Sequence, residues 1–200
     1  VRTTALVPTG WLASQGSHVR VIAILRDLLL VAVAGLLCAW IGQLLGRHVR
    51  VGLAMPLVGS AAAAMPRALI LLMVLWRVNR TGVLTAAAVA EVLTRLTVGV
   101  PGLLPTGLVV PVLAATVADA VWRGTSGWHE SRLRLAVTGA VLAGTRVAAA
   151  WLLLALVTLP PGMRMPGTAT CCAVLVVNTL LGIGAGIVVA RPWRHRSGTR

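Results

Sequence analysis

Apolar runs long enough to cross a lipid bilayer follow one another along this chain, separated by arginine-rich joints, and they leave few folds open. A helix needs about 20 apolar residues to cover the hydrocarbon core. Six stretches between Arg clusters and Pro/Gly punctuation meet that requirement: Leu28–Gly46, Val51–Trp76, Gly82–Gly99, Pro105–Trp122, Leu133–Leu159 and Thr168–Ala190. Charged residues make up only 11% of the chain, against about 25% in soluble domains, so there is too little polar surface to cover a globule in water. The expected fold class is all-α: a polytopic membrane helix bundle with six transmembrane helices, in a multi-pass protein of the cell membrane. Tails over 1–25 and 195–200 flank a six-helix domain over 26–194. The first apolar run lacks a small-x-small exit and reads as a span, not as a cleaved secretory signal. The second contains Pro56, Pro66 and Arg67, and fits either one kinked span or a re-entrant piece followed by a shorter helix. The fifth is the longest and must tilt or project.

All 18 basic residues are Arg, set against Asp27, Glu91, Asp119 and Glu130, for a formal net charge of +14. In a soluble chain that balance would suggest nucleic acid. Here the Arg residues lie between and beyond the apolar runs, with no basic stripe interleaved with aromatics, so they read as topology signals and no nucleic-acid partner is expected. With the N-terminus in the cytoplasm, Arg2, Arg20, Arg26, Arg77, Arg80, Arg123, Arg132, Arg134, Arg191, Arg194, Arg196 and Arg200 fall inside, and Arg47, Arg50 and Arg164 fall outside. Twelve against three predicts cytoplasmic N- and C-termini. Splitting the second run into two spans would place the C-terminal Arg cluster outside, which the count disfavours.

Arg67, Arg95 and Arg146 remain, inside spans. A charge at the bilayer centre costs about 2.5–3.5 kcal/mol on insertion scales, so such groups should face the bundle interior and find partners. Glu91 and Arg95 are four apart on one helix and share a face. They are either a neutralised pair that lets the third span insert or part of a ligand site. Arg146 and Asn178 fall near mid-depth of the fifth and sixth spans, and with Glu91 and Arg95 they form a candidate substrate-binding set. Asp119, beside Trp122 and Arg123, is expected to pair with Arg at the inner face. Arg67 is expected to satisfy carbonyls freed by a kink at Pro66, with cavity lining as its second role.

The chemistry of catalysis is missing. His18, His48, His129 and His195 fall in tails or loops, and no zinc-protease, nucleophile-elbow or phosphate-loop pattern occurs. Cys38, Cys171 and Cys172 form no Cys-x-x-Cys framework. Neither an enzyme nor a bound metal or cofactor is expected. Small residues at Gly35-x-x-x-Ala39, Gly42-x-x-x-Gly46 and Gly182-x-x-x-Gly186 mark close helix approach. No internal repeat supports a self-contained secondary transporter.

One stretch carries a resemblance. It runs from Pro66-Arg67-Ala68 through Arg80-Thr81-Gly82-Val83-Leu84-Thr85-Ala86-Ala87-Ala88-Val89-Ala90-Glu91 to Gly99-Val100-Pro101-Gly102, with a closing Asn178 and Gly182-Ile183-Gly184-Ala185-Gly186. That order of apolar helix, basic residues, Gly, Ala-rich helix with Glu, then Gly and Pro resembles the substrate-binding S components of energy-coupling factor transporters, which are vitamin-uptake ABC systems. The hydroxymethylpyrimidine/thiamine-type members are the most similar. The resemblance implies a small-molecule substrate captured from outside, a transmembrane T component and two cytoplasmic ATPase subunits as partners, and docking through small residues of the first helix. The matching positions here are Gly35 and Ala39, or Ala34 and Cys38, where the family typically has Ala-x-x-x-Ala.

Ligand charge stays open at this level. Three intramembrane Arg against two acids favour a carboxylate- or phosphate-bearing solute, whereas the resemblance implies a neutral or cationic heterocycle held by Glu91 and stacked on Trp151 or Trp40. The alternative to capture is a non-transporting assembly or anchoring subunit whose buried charges are structural pairs. The Arg count yields a direct test of topology. In a variant lacking the native cysteines, a thiol introduced at Thr125 should be protected from impermeant reagents in intact cells and one at Gly162 should be labelled; the reverse pattern refutes cytoplasmic termini.

Overall fold

The computed structural model describes residues 9–53, 63–98, 105–128, 130–156 and 167–191, with side chains placed over 21–45 in the first stretch and from 107 in the third. All regular structure among them is helical: α1 (Thr9–Leu53), α2 (Ala64–Val78), α3 (Val83–Thr97), α4 (Pro105–Gly124), α5 (Ser131–Leu156) and α6 (Thr168–Ala190). Four helices carry apolar stretches of membrane-crossing length: Val21–Leu45 within α1, Gly107–Gly124 of α4, all of α5 and all of α6. The other two are shorter. At 15 residues each, α2 and α3 are about 22 Å long at 1.5 Å per residue, below the ~30 Å hydrocarbon thickness. The second apolar run therefore does not form one helix: α1 continues to Leu53 and α2 begins afresh at Ala64. Pro66 occupies the third position of α2, where its missing N–H would have had no intrahelical partner anyway, and α2 needs no kink to accommodate it.

The helices close into a ring in the order α1, α3, α4, α5, α6, α2, and α2 also reaches across to α3 and α5. Connections at one end are tight. Asn79 caps α2 at φ 50°, its N–H bonding the Leu75 carbonyl at 2.8 Å, and Gly82 precedes α3 at φ 87°. Those left-handed conformations suit Gly and Asn and few other residues. Leu71, Leu72 and Leu75 of α2 form an apolar core with Val83, Leu84 and Ala87 of α3, Ala115 and Ala118 of α4, Leu135 of α5 and Val189 of α6. This core fills the half of the bundle nearer the α2–α3 turn.

Side-chain size is sorted opposite to the pattern of a water-soluble bundle. Along α1 the inward residues are Val31, Ala34, Gly35, Cys38 and Ala39, while Ile22, Leu25, Leu29, Leu36 and Trp40 point outward. Large apolar groups outside and small ones inside suit a hydrocarbon surround, where association depends on close backbone approach. The α5–α6 crossing takes this furthest. A Cβ on Gly139 would strike the Gly182 carbonyl, a Cβ on Gly182 would strike that of Gly139, and one on Gly186 would strike that of Leu135. Gly184, on the same helix, faces open space.

The crossing makes a within-helix comparison possible. Gly182→Val forces a shift of backbone and should cost about 1–3 kcal/mol or more, whereas Gly184→Ala should leave the melting temperature in detergent unchanged or slightly raised. Equal melting temperatures for the two variants would contradict the packing described.

Candidate functional site

Glu91 is the centre of the buried polar network. It sits on the inner face of α3, one turn past the Ala87 carbonyl against which Gly35 of α1 packs, and its side chain is wholly shielded from solvent. Three guanidiniums surround it. Arg95, one turn along α3, donates to Oε1; Arg146 of α5 donates through Nη2 to Oε1 at 2.9 Å and Oε2 at 2.8 Å; Arg67 of α2 brings its Nη2 to 3.5 Å from Oε1. The Arg side chains are only 8, 14 and 15% exposed for Arg67, Arg95 and Arg146, so little water reaches them to screen their charge.

Local sequence explains two of these orientations. Pro111 lies inside α4 and has no N–H to give to the carbonyl four residues earlier, that of Gly107. Arg95 Nη1 donates to that carbonyl at 3.1 Å. Arg67 takes a different route from the one expected. Its Nε donates to the Cys38 carbonyl of α1 at 3.0 Å, where Gly42 leaves room for the guanidinium: a Cβ there would overlap it. The kink-freed carbonyl that the sequence suggested for Arg67 thus exists, but at Pro111, and Arg95 serves it. Arg67 belongs to the Glu91 cluster.

Asp119 is placed elsewhere. Instead of pairing with an inner-face Arg, its carboxylate accepts the Leu84 N–H at 3.4 Å, the Thr85 N–H at 2.8 Å and the Thr85 hydroxyl at 2.7 Å. It caps α3 from a neighbouring helix, where the unpaired N–H groups and the positive end of the helix favour an anion. Arg134 does the converse for α4, donating to the Trp122 carbonyl at 2.6 Å from Nη2 with its guanidinium 3.5 Å from the Trp122 ring centroid. Asp27 meets Arg26 at 3.2 Å and Arg80 at 3.9 Å at the same end of the bundle.

Asn178 is buried on α6 and donates Nδ2 to the Val174 carbonyl of its own helix at 2.8 Å. With Arg146 it lines a small cavity completed by Ala64, Ala68, Leu142, Ala143 and Val147. The cavity measures about 20 Å³, room for about one water-sized occupant and far below the ~300 Å³ of the smallest drug-sized sites. Trp151 is not among its walls; it packs instead on Leu154 and Cys171 between α5 and α6. Trp40 stands 58% exposed on the outer face of α1. Neither supplies the stacking surface expected of it.

The four small residues expected to dock a partner, Ala34, Gly35, Cys38 and Ala39, are all buried within the chain, and a Cβ on Gly35 would meet the Ala90 Cβ and the Glu91 backbone nitrogen of α3. They join α1 to its own bundle, so this stripe is not an available surface. No group of three or more His, Cys, Asp or Glu that could hold a metal ion occurs among the described residues. The chain matches no protein-family model, no curated protein and no solved structure.

Because one carboxylate serves three cations, the Glu91–Arg95 pair is not separable from its surroundings. Glu91→Gln should destabilise the purified protein by about 3–5 kcal/mol, the cost of breaking a buried pair from one side. The double change Glu91→Gln with Arg95→Gln should not restore stability, since Arg67 and Arg146 still lose their carboxylate. Asp119→Ala should cost about 0.5–2 kcal/mol as a lost helix cap. Thermal unfolding in one detergent checks all three, and a double mutant as stable as the parent would show that Glu91 answers to Arg95 alone.

Proposed function

We propose that this chain is a membrane-embedded solute-capture subunit of the energy-coupling factor type, crossing the cell membrane six times with both termini in the cytoplasm and depending on a T component and two ATPases for energy. The observation that carries the reading is the meeting of Glu91, Arg95, Arg146 and Arg67 in the bundle interior beside a cavity that Asn178 and Arg146 line. Ionisable groups at such depth are costly and are characteristic of solute and ion pathways. At 15 residues each, α2 and α3 complete the six crossings by local thinning of the bilayer and snorkelling of flanking Arg77 and Arg80. The cavity is too small for a heterocycle as it stands, so capture of a vitamin-sized solute requires α2 to move away from α5 and α6.

A second reading draws on a specific observation: both carboxylate oxygens of Glu91 are already occupied by guanidiniums. That closed arrangement also suits an assembly or anchoring subunit in which the charges only fasten four helices together. The two readings separate on energetics and partners. Under the first, the purified chain hydrolyses no ATP alone, and uptake of solute together with ATP hydrolysis appears only when it is reconstituted with a T component and paired ATPases. Robust ATPase activity from this polypeptide alone, or failure to associate with any such partner encoded beside it, would refute the capture assignment.

A further inference from the structure

The charge around Glu91 does not balance within this chain. Three guanidiniums against one carboxylate leave an excess of +2 (3 − 1) in a region nearly closed to solvent. Arginine does not relieve such an excess by losing its proton. The sequence holds only three other acids, and each is placed elsewhere: Asp27 beside Arg26 and Arg80, Asp119 on the first turn of α3, and Glu130 exposed in the α4–α5 loop. The Cys38 and Gly107 carbonyls engage Arg67 and Arg95, but a carbonyl offers only a partial charge.

Arg146 has no such carbonyl. Both of its bonds to Glu91 leave from Nη2, and neither Nε nor Nη1 donates to any described residue. This guanidinium lines the 20 Å³ cavity, where it faces Ala64, the first residue of α2. The first turn of α2 contains no acidic residue and receives no side-chain cap, so its free N–H groups and positive dipole end add to the same field. A half-buried cation with donors that no described residue uses, a helix start without a side-chain cap and an amide side chain thus converge on one small space.

We propose that this cavity is an anion site, taking a small anion or the carboxylate or phosphate head of a larger solute. It rests on the cavity being the solute site of the capture reading, and it selects the anionic ligand over the neutral or cationic heterocycle. At about 20 Å³ the present volume admits one occupant close to the size of a water, such as a halide ion, and a carboxylate or phosphate head enters only with the movement of α2 away from α5 and α6 that capture already requires.

The test uses the full chain in nanodiscs of purely zwitterionic lipid, with a bulky aryl sulfonate as the only bulk anion. Chloride, formate and inorganic phosphate are added separately and the melting temperature is followed. At least one should raise it saturably. In Arg146→Gln the apparent affinity should fall about ten- to hundredfold, as expected for a lost charged hydrogen bond. Ala64→Leu, which keeps every charge and fills the cavity, should abolish the effect, while Arg134→Gln at the opposite end of the bundle should not change it. If Glu91→Gln folds, it should bind the anion more tightly, since it raises the local charge to +3. A shift requiring anionic lipid, absent in the zwitterionic discs with all three soluble anions and lost in Ala64→Leu, would assign the same site to a lipid headgroup. Thiamine binding that depends on Arg146, with no response to any anion or anionic lipid, would overturn the anion proposal and leave capture standing. Anion binding that depends on Arg146, without solute uptake in the reconstituted complex, would do the reverse. An anion effect equal in the parent, Arg146→Gln and Ala64→Leu would overturn the site.

Discussion

A carboxylate with no access to water is held in the bundle only because three guanidiniums meet it there, and the positions of four helices follow from that meeting. Glu91 belongs to α3, and its partners arrive from the same helix, from α2 and from α5, while Arg67 also ties α2 to the Cys38 carbonyl of α1. In a hydrocarbon surround the usual drive to bury apolar surface is absent between helices, so packing and polar contacts must specify the arrangement. Separating any of these helices would expose a charge to lipid. The network is therefore a strong specifier of arrangement even where its net contribution to stability is modest.

The same bundle shows how a small chain manages backbone groups that lipid cannot solvate. Asp119 takes N–H groups at the start of α3, Arg134 takes a carbonyl near the end of α4, and Arg95 takes the carbonyl orphaned by Pro111. Each is a long-range bond to a neighbouring helix that also does the work of a local cap. Charged side chains are scarce in this sequence, and three of them serve points where helical hydrogen bonding is incomplete.

Much of this was legible from sequence alone, to different depths. The apolar runs mark the helices, and the (i, i+4) spacing of Glu91 and Arg95 already places both on one face. Arg146 and Asn178 are recognisable as interior because polar groups in apolar runs have nowhere else to go. What could not be read was partner choice across helices. Neighbouring residues suggest a kink carbonyl for Arg67 and an inner-face Arg for Asp119, since sequence separation says nothing of which helices touch. One signal was available: Pro111 frees the carbonyl of Gly107, and an Arg on the preceding helix is a natural donor. The stripe of small residues on α1 was visible, but whether it faces its own bundle or another protein depends on helix rotation. The Gly35 contact with α3 settles that rotation, and the large exposed apolar face of α1 is what it leaves outward.

The glycine seam between α5 and α6 has a mechanical consequence. Where backbone touches backbone, there are no rotamers to absorb a slide, so two helices joined at Gly139, Gly182 and Gly186 translate as one stiff plank. Compliance must lie where long side chains interleave, and α2 meets its neighbours through Leu71, Leu72 and Leu75. Shear in this molecule is thus directed onto its short second helix, which carries Arg67 of the cluster and also borders the cavity.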